Sequence, residues 1–229
     1  MVALCRVPPD SRRRRSPNRR CARTATLATP PTAAEPGGRS ASISLPPDAL
    51  VVLIGVAASG KSTFAARHFA PTEVLSSDRL RALITDDPSA QGATDDAFDL
   101  LHRIGAMRLR QGRLTVVDAT NVEAWAREML LALARRHRRP AVALILDLPL
   151  NAALERNAAR PAPRPPAAAI RRQHKWLHGS LAAMSTEGFL AIHHLRTAAE
   201  IDGAVVIRDD AAGPGESAAS TPTHTTPAR

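Results

Sequence analysis

The 229-residue chain contains no tyrosine, and its aromatic side chains number only six: Phe64, Phe69, Phe98, Phe189, Trp125 and Trp176. Proteins that hold single-stranded nucleic acid by stacking present several exposed rings, so composition offers few such platforms, and most of these six fall at core positions. Cysteine is nearly missing. Cys5 and Cys21 both lie in the arginine-rich first segment, which excludes a disulfide framework or a cysteine-built metal site in the fold and suits a reducing, cytoplasmic setting. No apolar run approaches a membrane span, and the N-terminus lacks the hydrophobic stretch of a secretory signal. Neither a membrane partner nor export is expected.

Basic charge is plentiful but unevenly spread. Residues 1–45 hold nine arginines against two acids, a net +7 of the chain's +10, which leaves +3 for the remainder. A cationic tail attracts any polyanion, so global charge is a weak argument for nucleic acid. Residues 1–46, rich in Arg, Pro, Ser, Thr and Ala without apolar periodicity, are expected to be a disordered basic tail, and 211–229 a second disordered tail. The leader resembles an organelle transit peptide in being arginine-rich and acid-poor, yet its proline content fits an unstructured extension equally well.

Between the tails, residues 47–210 read as one α/β domain. Short apolar runs at Leu50–Ile54, Glu73–Ser76, Leu114–Val117, Val142–Leu146 and Ala191–Leu195 suit buried parallel strands. Helical spacing at Ser62–Phe69, Thr94–Gln111, Glu123–Arg136 and Asn151–Ala159 separates them, with Asn121, Thr94 and Asn151 as expected N-caps. The alternation predicts a three-layer fold in which a mostly parallel five-stranded sheet is covered on both faces by helices.

Gly55-Val-Ala-Ala-Ser-Gly-Lys-Ser62, directly after the first apolar run, meets every fixed position of the phosphate cradle Gly-x-x-x-x-Gly-Lys-Ser/Thr. Gly55 and Gly60 let the backbone wrap the phosphates. Ser59 and Thr63 fall within the wrap and the first helical turn, where N–H groups point at negative charge. Lys61 reaches the β- and γ-phosphates, and Ser62 offers a hydroxyl to magnesium. ATP with Mg2+ is the expected cofactor, in a P-loop NTPase fold.

In an open parallel sheet ligands bind beyond the carboxyl ends of the strands. Two aspartates end apolar runs there. Asp118, after Leu114-Thr-Val-Val, is the expected second carboxylate near magnesium, with a helix cap as its alternative. Asp78, after Val74-Leu-Ser-Ser, distinguishes a kinase from a plain NTPase, because an alcohol nucleophile needs a carboxylate to orient it and take its proton. It could equally cap a helix over Arg79–Ile84.

Taken together, Gly55–Phe64, Thr72–Asp78, Leu114–Asn121 and Glu155–Arg160 resemble, in order and spacing, the polynucleotide 5′-kinase domain of bacterial polynucleotide kinase-phosphatases across roughly residues 48–195. The resemblance implies a P-loop kinase with a helical lid that phosphorylates a 5′-hydroxyl end of RNA or DNA. It implies Asp78 as general base, Arg81 as the contact to the acceptor's neighbouring phosphate, and Arg156 as the lid arginine over the donor phosphates. A planar guanidinium suits the charge spread of a loose phosphoryl-transfer transition state. Arg156 and Arg160, four apart, share a helical face just before Pro161–Pro166, a segment suited to a hinged flap. Arg164, Arg171, Arg172 and Lys175 then add charge that reads equally well as a solvated helix face. Arg79 competes with Arg81 for the acceptor contact, and Gln91 is a candidate for the acceptor channel. The histidines, among them His102, His174 and the pair His193–His194, show no ligand spacing with neighbouring carboxylates and are expected to be structural or surface residues.

The chain departs from the family in its proline-rich lid and in ending soon after the last expected strand, so phosphatase chemistry is expected elsewhere. Two other functions fit the same motifs: a P-loop kinase of a small-molecule alcohol, and a nucleotide-dependent regulatory ATPase. Oligomeric state leaves no signal in the sequence.

Overall fold

The computed structural model of the chain describes residues 41–209. Strand and helix alternate in the order β1 (Ser42–Leu45), β2 (Leu50–Ile54), α1 (Lys61–His68), β3 (Val74–Ser76), α2 (Ser77–Thr85), α3 (Thr94–Arg110), β4 (Thr115–Asp118), α4 (Ala124–Arg136), β5 (Ala141–Leu146), α5 (Leu150–Ala158), α6 (Ala167–Met184), β6 (Ala191–Leu195), α7 (Ala198–Gly203) and β7 (Val205–Arg208), with one 3-10 turn at Gln91–Ala93. Five strands form a sheet of order β3-β4-β2-β5-β6 in which every pairing is parallel. The five expected strands are all present in it.

Every residue of β2, β4 and β5 is buried. A parallel strand between two helical layers has no wet face, which is why these segments are continuously apolar rather than alternating. Odd and even positions go to different cores. Val51, Leu53, Val116, Val142 and Leu144 pack with Phe64 of α1, Ala153 of α5 and Ile170 of α6. Leu50, Val52, Val117, Ala143 and Ile145 pack with Leu101 of α3, Leu130 of α4, and Leu177 and Met184 of α6. The α6 helix thus enters both apolar layers.

Two differences from expectation concern the ends of elements. A small parallel pair joins β1 to β7, so order begins inside the span assigned to the basic tail. Ser-Ile-Ser-Leu alternates, and Ile43 and Leu45 are fully buried in the α1-side core. Residues 1–40 of the expected basic tail, the last residue of the expected domain, 210, and the expected tail 211–229 lie outside the described residues. The expected caps are also displaced: α3, α4 and α5 begin after Ala93, Glu123 and Pro149, without side-chain capping bonds. Asn121 is instead left-handed at φ 48, and its Nδ2 donates to the Leu53 carbonyl at 2.7 Å. Its carboxamide ties two strand ends together rather than starting a helix.

Candidate functional site

The central strand β2 lies between β4 and β5, so the turn after Ile54 emerges among the carboxyl ends of three neighbours. Gly55 opens that turn at φ +158, where a Cβ would stand 2.6 Å from the Leu146 carbonyl oxygen and 2.7 Å from Ser59 Oγ. No side chain fits. Gly60, at φ +102, takes the left-handed conformation that starts α1, and a Cβ there would meet the Arg156 guanidinium at 3.5 Å. The loop is fastened from three sides. The Gly55 N–H donates to the Thr120 carbonyl at 2.9 Å, Asn121 holds Leu53 as described, and the Ala57 N–H donates to Gln173 Oε1 of α6 at 2.8 Å.

Lys61 is buried, and its ammonium donates to the carbonyls of Gly55 at 2.9 Å and Val56 at 2.8 Å. Removal from water pushes its pKa down from 10.5 to about 8; Asp118 and Asp78 oppose that shift, and Arg160 adds to it. Both expected carboxylates therefore act on Lys61. Asp118 is buried at the end of β4, in register with Leu53 of β2 and Ser76 of β3. Asp78 sits in the first turn of α2 with its side chain 67% exposed, pointing to solvent and not into the core. Ser62 and Thr63 are exposed in the first turn of α1.

Arg156 and Arg160 both reach the loop, but they do not share a helical face: α5 ends at Ala158, and Arg160 lies in the bend beyond it. With Gly60, Thr63 and Arg67 they line a cleft of about 270 Å³ beside α1. Asp78 and Asp118 are not among its lining residues. Arg164 is spent locally, donating to the carbonyls of Ala158 at 2.6 Å and Arg160 at 3.1 Å.

Two candidates for the acceptor side behave differently from expectation. The Arg81 side chain is only 10% exposed; it pairs with Asp78 and donates from Nε to the Pro88 carbonyl at 3.0 Å. Two of its five N–H donors are thus engaged by the chain itself. Gln91 is exposed at the start of the 3-10 turn and donates to the Ser89 carbonyl at 3.3 Å, with no contact that draws it to the loop.

Sequence reading missed three supports. Gln173 interrupts a run of cations on α6, and unlike Arg171, Arg172 and Lys175 it can accept a hydrogen bond. Arg127 is fully buried; it binds Glu187 at 2.7 and 2.5 Å and the carbonyls of Asn121 at 3.0 Å and Val122 at 2.9 Å, bracing the turn that holds the phosphate loop. Two histidines meet a carboxylate far from them in sequence: His178 and His194 each stand 2.9 Å from an oxygen of Asp147. Sequence separations of 31 and 47 residues hid these pairings.

The AAA domain model matches residues 50–181, more than half of the chain. The chain belongs to the AAA domain family. No curated protein sequence matches this AAA domain. Its fold is that of P-loop kinases. One solved structure with this fold, the Pnkp1/Rnl/Hen1 RNA repair complex, superposes with a TM-score of 0.53 at 18% identity over 66% of this chain and 49% of that one. The AAA domain chain thus spans about half the length of that relative. Adenylylsulfate (APS) kinase CysC of Mycobacterium tuberculosis gives 0.41 at 19% identity, covering 69% of this chain and 95% of that one. A gluconokinase of Sinorhizobium meliloti gives 0.43 at 17%, covering 69% and 93%.

The cradle of this AAA domain fits a magnesium-bearing triphosphate. Ser59 Oγ is buried in the loop without a partner, Lys61 is spent on its own carbonyls until phosphate oxygens replace them, and Ser62 with Asp118 could offer the hard oxygen donors that magnesium takes. Among the described residues no helix is long and apolar enough to cross a membrane.

Proposed function

We propose that the chain is an ATP-dependent kinase that transfers the γ-phosphoryl group to a 5′-hydroxyl end of RNA or DNA. The observation that carries the reading is Asp78: a carboxylate open to solvent, steadied by Arg81, whose charge is felt at the lysine of a phosphate cradle. As the acceptor oxygen attacks in line, its proton passes to Asp78 and the bond to the ADP leaving group breaks. Lys61, Arg156 and Arg160 neutralise charge on the transferring group, Gly55, Ser59, Gly60 and Thr63 cradle the donor, and Ser62 and Asp118 hold Mg2+ in this scheme. Bound by Ser62 and Asp118, magnesium would supply neutralisation of charge on the donor phosphates. The polynucleotide acceptor is carried by the motifs from Gly55 to Arg160 and by the fold shared with an RNA repair complex.

One observation favours a second reading, a kinase of a small alcohol. Arg81, the residue meant to hold an acceptor phosphate, is buried and already bonded to Asp78 and Pro88. A small acceptor does not need it. Labelled γ-phosphate transfer to a 5′-hydroxyl oligonucleotide, run beside a panel of small alcohols with wild type and Asp78→Ala, separates the two. Transfer to the oligonucleotide that is lost in Asp78→Ala while ATP still binds supports the proposal; transfer to a small alcohol alone replaces it with the second reading. Equal rates in the two proteins would remove Asp78 as base.

A further inference from the structure

Asp147 follows the last residue of β5 and has no part in the phosphate cradle. Its side chain is 9% exposed, and both oxygens are engaged: Oδ1 stands 2.9 Å from His178 Nε2 and Oδ2 stands 2.9 Å from His194 Nε2. His174, one turn before His178 on α6, adds a second imidazole, stacked on His178 with ring centroids 4.1 Å apart and planes inclined by 25°. One donor atom from each of Asp147, His174 and His178 lies within 4.8 Å of the other two.

We propose that Asp147, His174 and His178 bind a divalent transition ion of the zinc type, which staples α6 to the carboxyl end of β5. Two histidines four apart on one helical face plus a carboxylate from a strand end make an N2O donor set, and a water completes a tetrahedron. Donors about 2.1 Å from a tetrahedral zinc stand about 3.4 Å from one another. The 2.9 Å pair therefore opens by a few tenths of an ångström while the wider pairs close, movements within the reach of side-chain torsions. His194 keeps its bond to Oδ2 and fixes the carboxylate's orientation, as partners behind metal ligands do.

The site has a structural consequence. Gln173, adjacent to His174, accepts the Ala57 N–H of the phosphate loop, so an ion that fixes α6 also steadies that contact.

The test uses the full chain carrying Cys5→Ser and Cys21→Ser, because tail thiols would bind zinc by themselves. After chelator stripping, Zn2+ alone is titrated in competition with a chromophoric chelator, and Co2+ is followed by its visible bands. One equivalent of Zn2+ is expected, with intense tetrahedral Co2+ absorption and a thermal midpoint raised by the ion. His174→Ala and His178→Ala are each expected to weaken binding by about 100-fold or more, and His194→Ala by about 10- to 100-fold. Circular dichroism checks folding of each variant, and if His178→Ala does not fold, His174→Ala carries the comparison. A parent protein that takes up no zinc overturns the proposal, and so does a folded His174→Ala protein that retains the parent's affinity. Neither result depends on phosphoryl transfer.

Discussion

Lys61 gives the most quantitative handle on the cradle. Its ammonium is buried against carbonyls, and burial pushes the pKa from 10.5 to about 8. The shift is equivalent to about 3 kcal/mol of disfavoured charge. The sign for folding follows from proton counting. Between pH 8 and 10.5 the unfolded chain binds the lysine proton more tightly than the folded one does, so stability rises with pH across that window, while below pH 8 the penalty is constant. Phosphate oxygens would reverse the balance by bringing negative charge to the buried ammonium. Nucleotide binding at pH 8 should therefore take up about half a proton, and affinity should fall roughly tenfold between pH 7 and pH 9 as the free lysine loses its charge.

Calorimetry in buffers of different ionisation enthalpy reads the proton uptake directly, because each buffer adds heat in proportion to the protons it gives up. Lys61→Met supplies the control for protons exchanged by the nucleotide itself. A wild-type uptake at pH 8 no larger than that of Lys61→Met would refute the reasoning. Lys61 would then be fully charged before phosphate arrives.

Gly55→Ala forces a Cβ to 2.6 Å from a backbone oxygen at positive φ, so a loss of about 2–4 kcal/mol in stability and a failure to retain nucleotide are expected by thermal melting and nucleotide titration. Arg127→Met leaves Glu187 and two carbonyls without their partner; denaturant unfolding should show a loss of about 3–5 kcal/mol, part of which Glu187→Leu recovers in the double variant. Arg156→Ala removes the guanidinium that lies over Gly60, and single-turnover transfer should fall by about 10³-fold or more with a smaller rise in KM for ATP.

What the sequence made legible follows the range of the forces involved. The run Leu50–Ile54 is a strand at its expected bounds, because five apolar residues in a row satisfy a buried parallel position without help from elsewhere. The glycines of the cradle were readable for the same reason: a backbone requirement leaves a local mark. Arg81 follows Asp78 by three residues, but sequence does not say whether a guanidinium is free or already bonded, and Pro88 lies in the following loop. The pair β1 and β7 joins segments more than 160 residues apart, each only four residues long. Gln173, Glu187 and Asp147 were invisible because their partners lie 116, 60 and at least 31 positions away.

These nonlocal contacts converge on one element. Along α6, Ile170 packs into one core layer and Leu177 and Met184 into the other, so the helix cannot turn about its axis without disturbing both. The same helix sends Gln173 to Ala57 of the phosphate loop and His178 to Asp147 at the end of β5, and Ser180 Oγ approaches the Val122 carbonyl at 3.4 Å. It also follows directly on the proline segment after α5, a helix that bears Arg156, with Arg160 in the bend just past its end. A shift of the arginine-bearing helix must therefore be absorbed in Pro161–Pro166, because α6 is held by packing on both faces and by polar contacts to the loop it would otherwise disturb. On the proposed kinase reading, the cradle would in this way remain rigid while Arg156 and Arg160 approach and leave the donor phosphates.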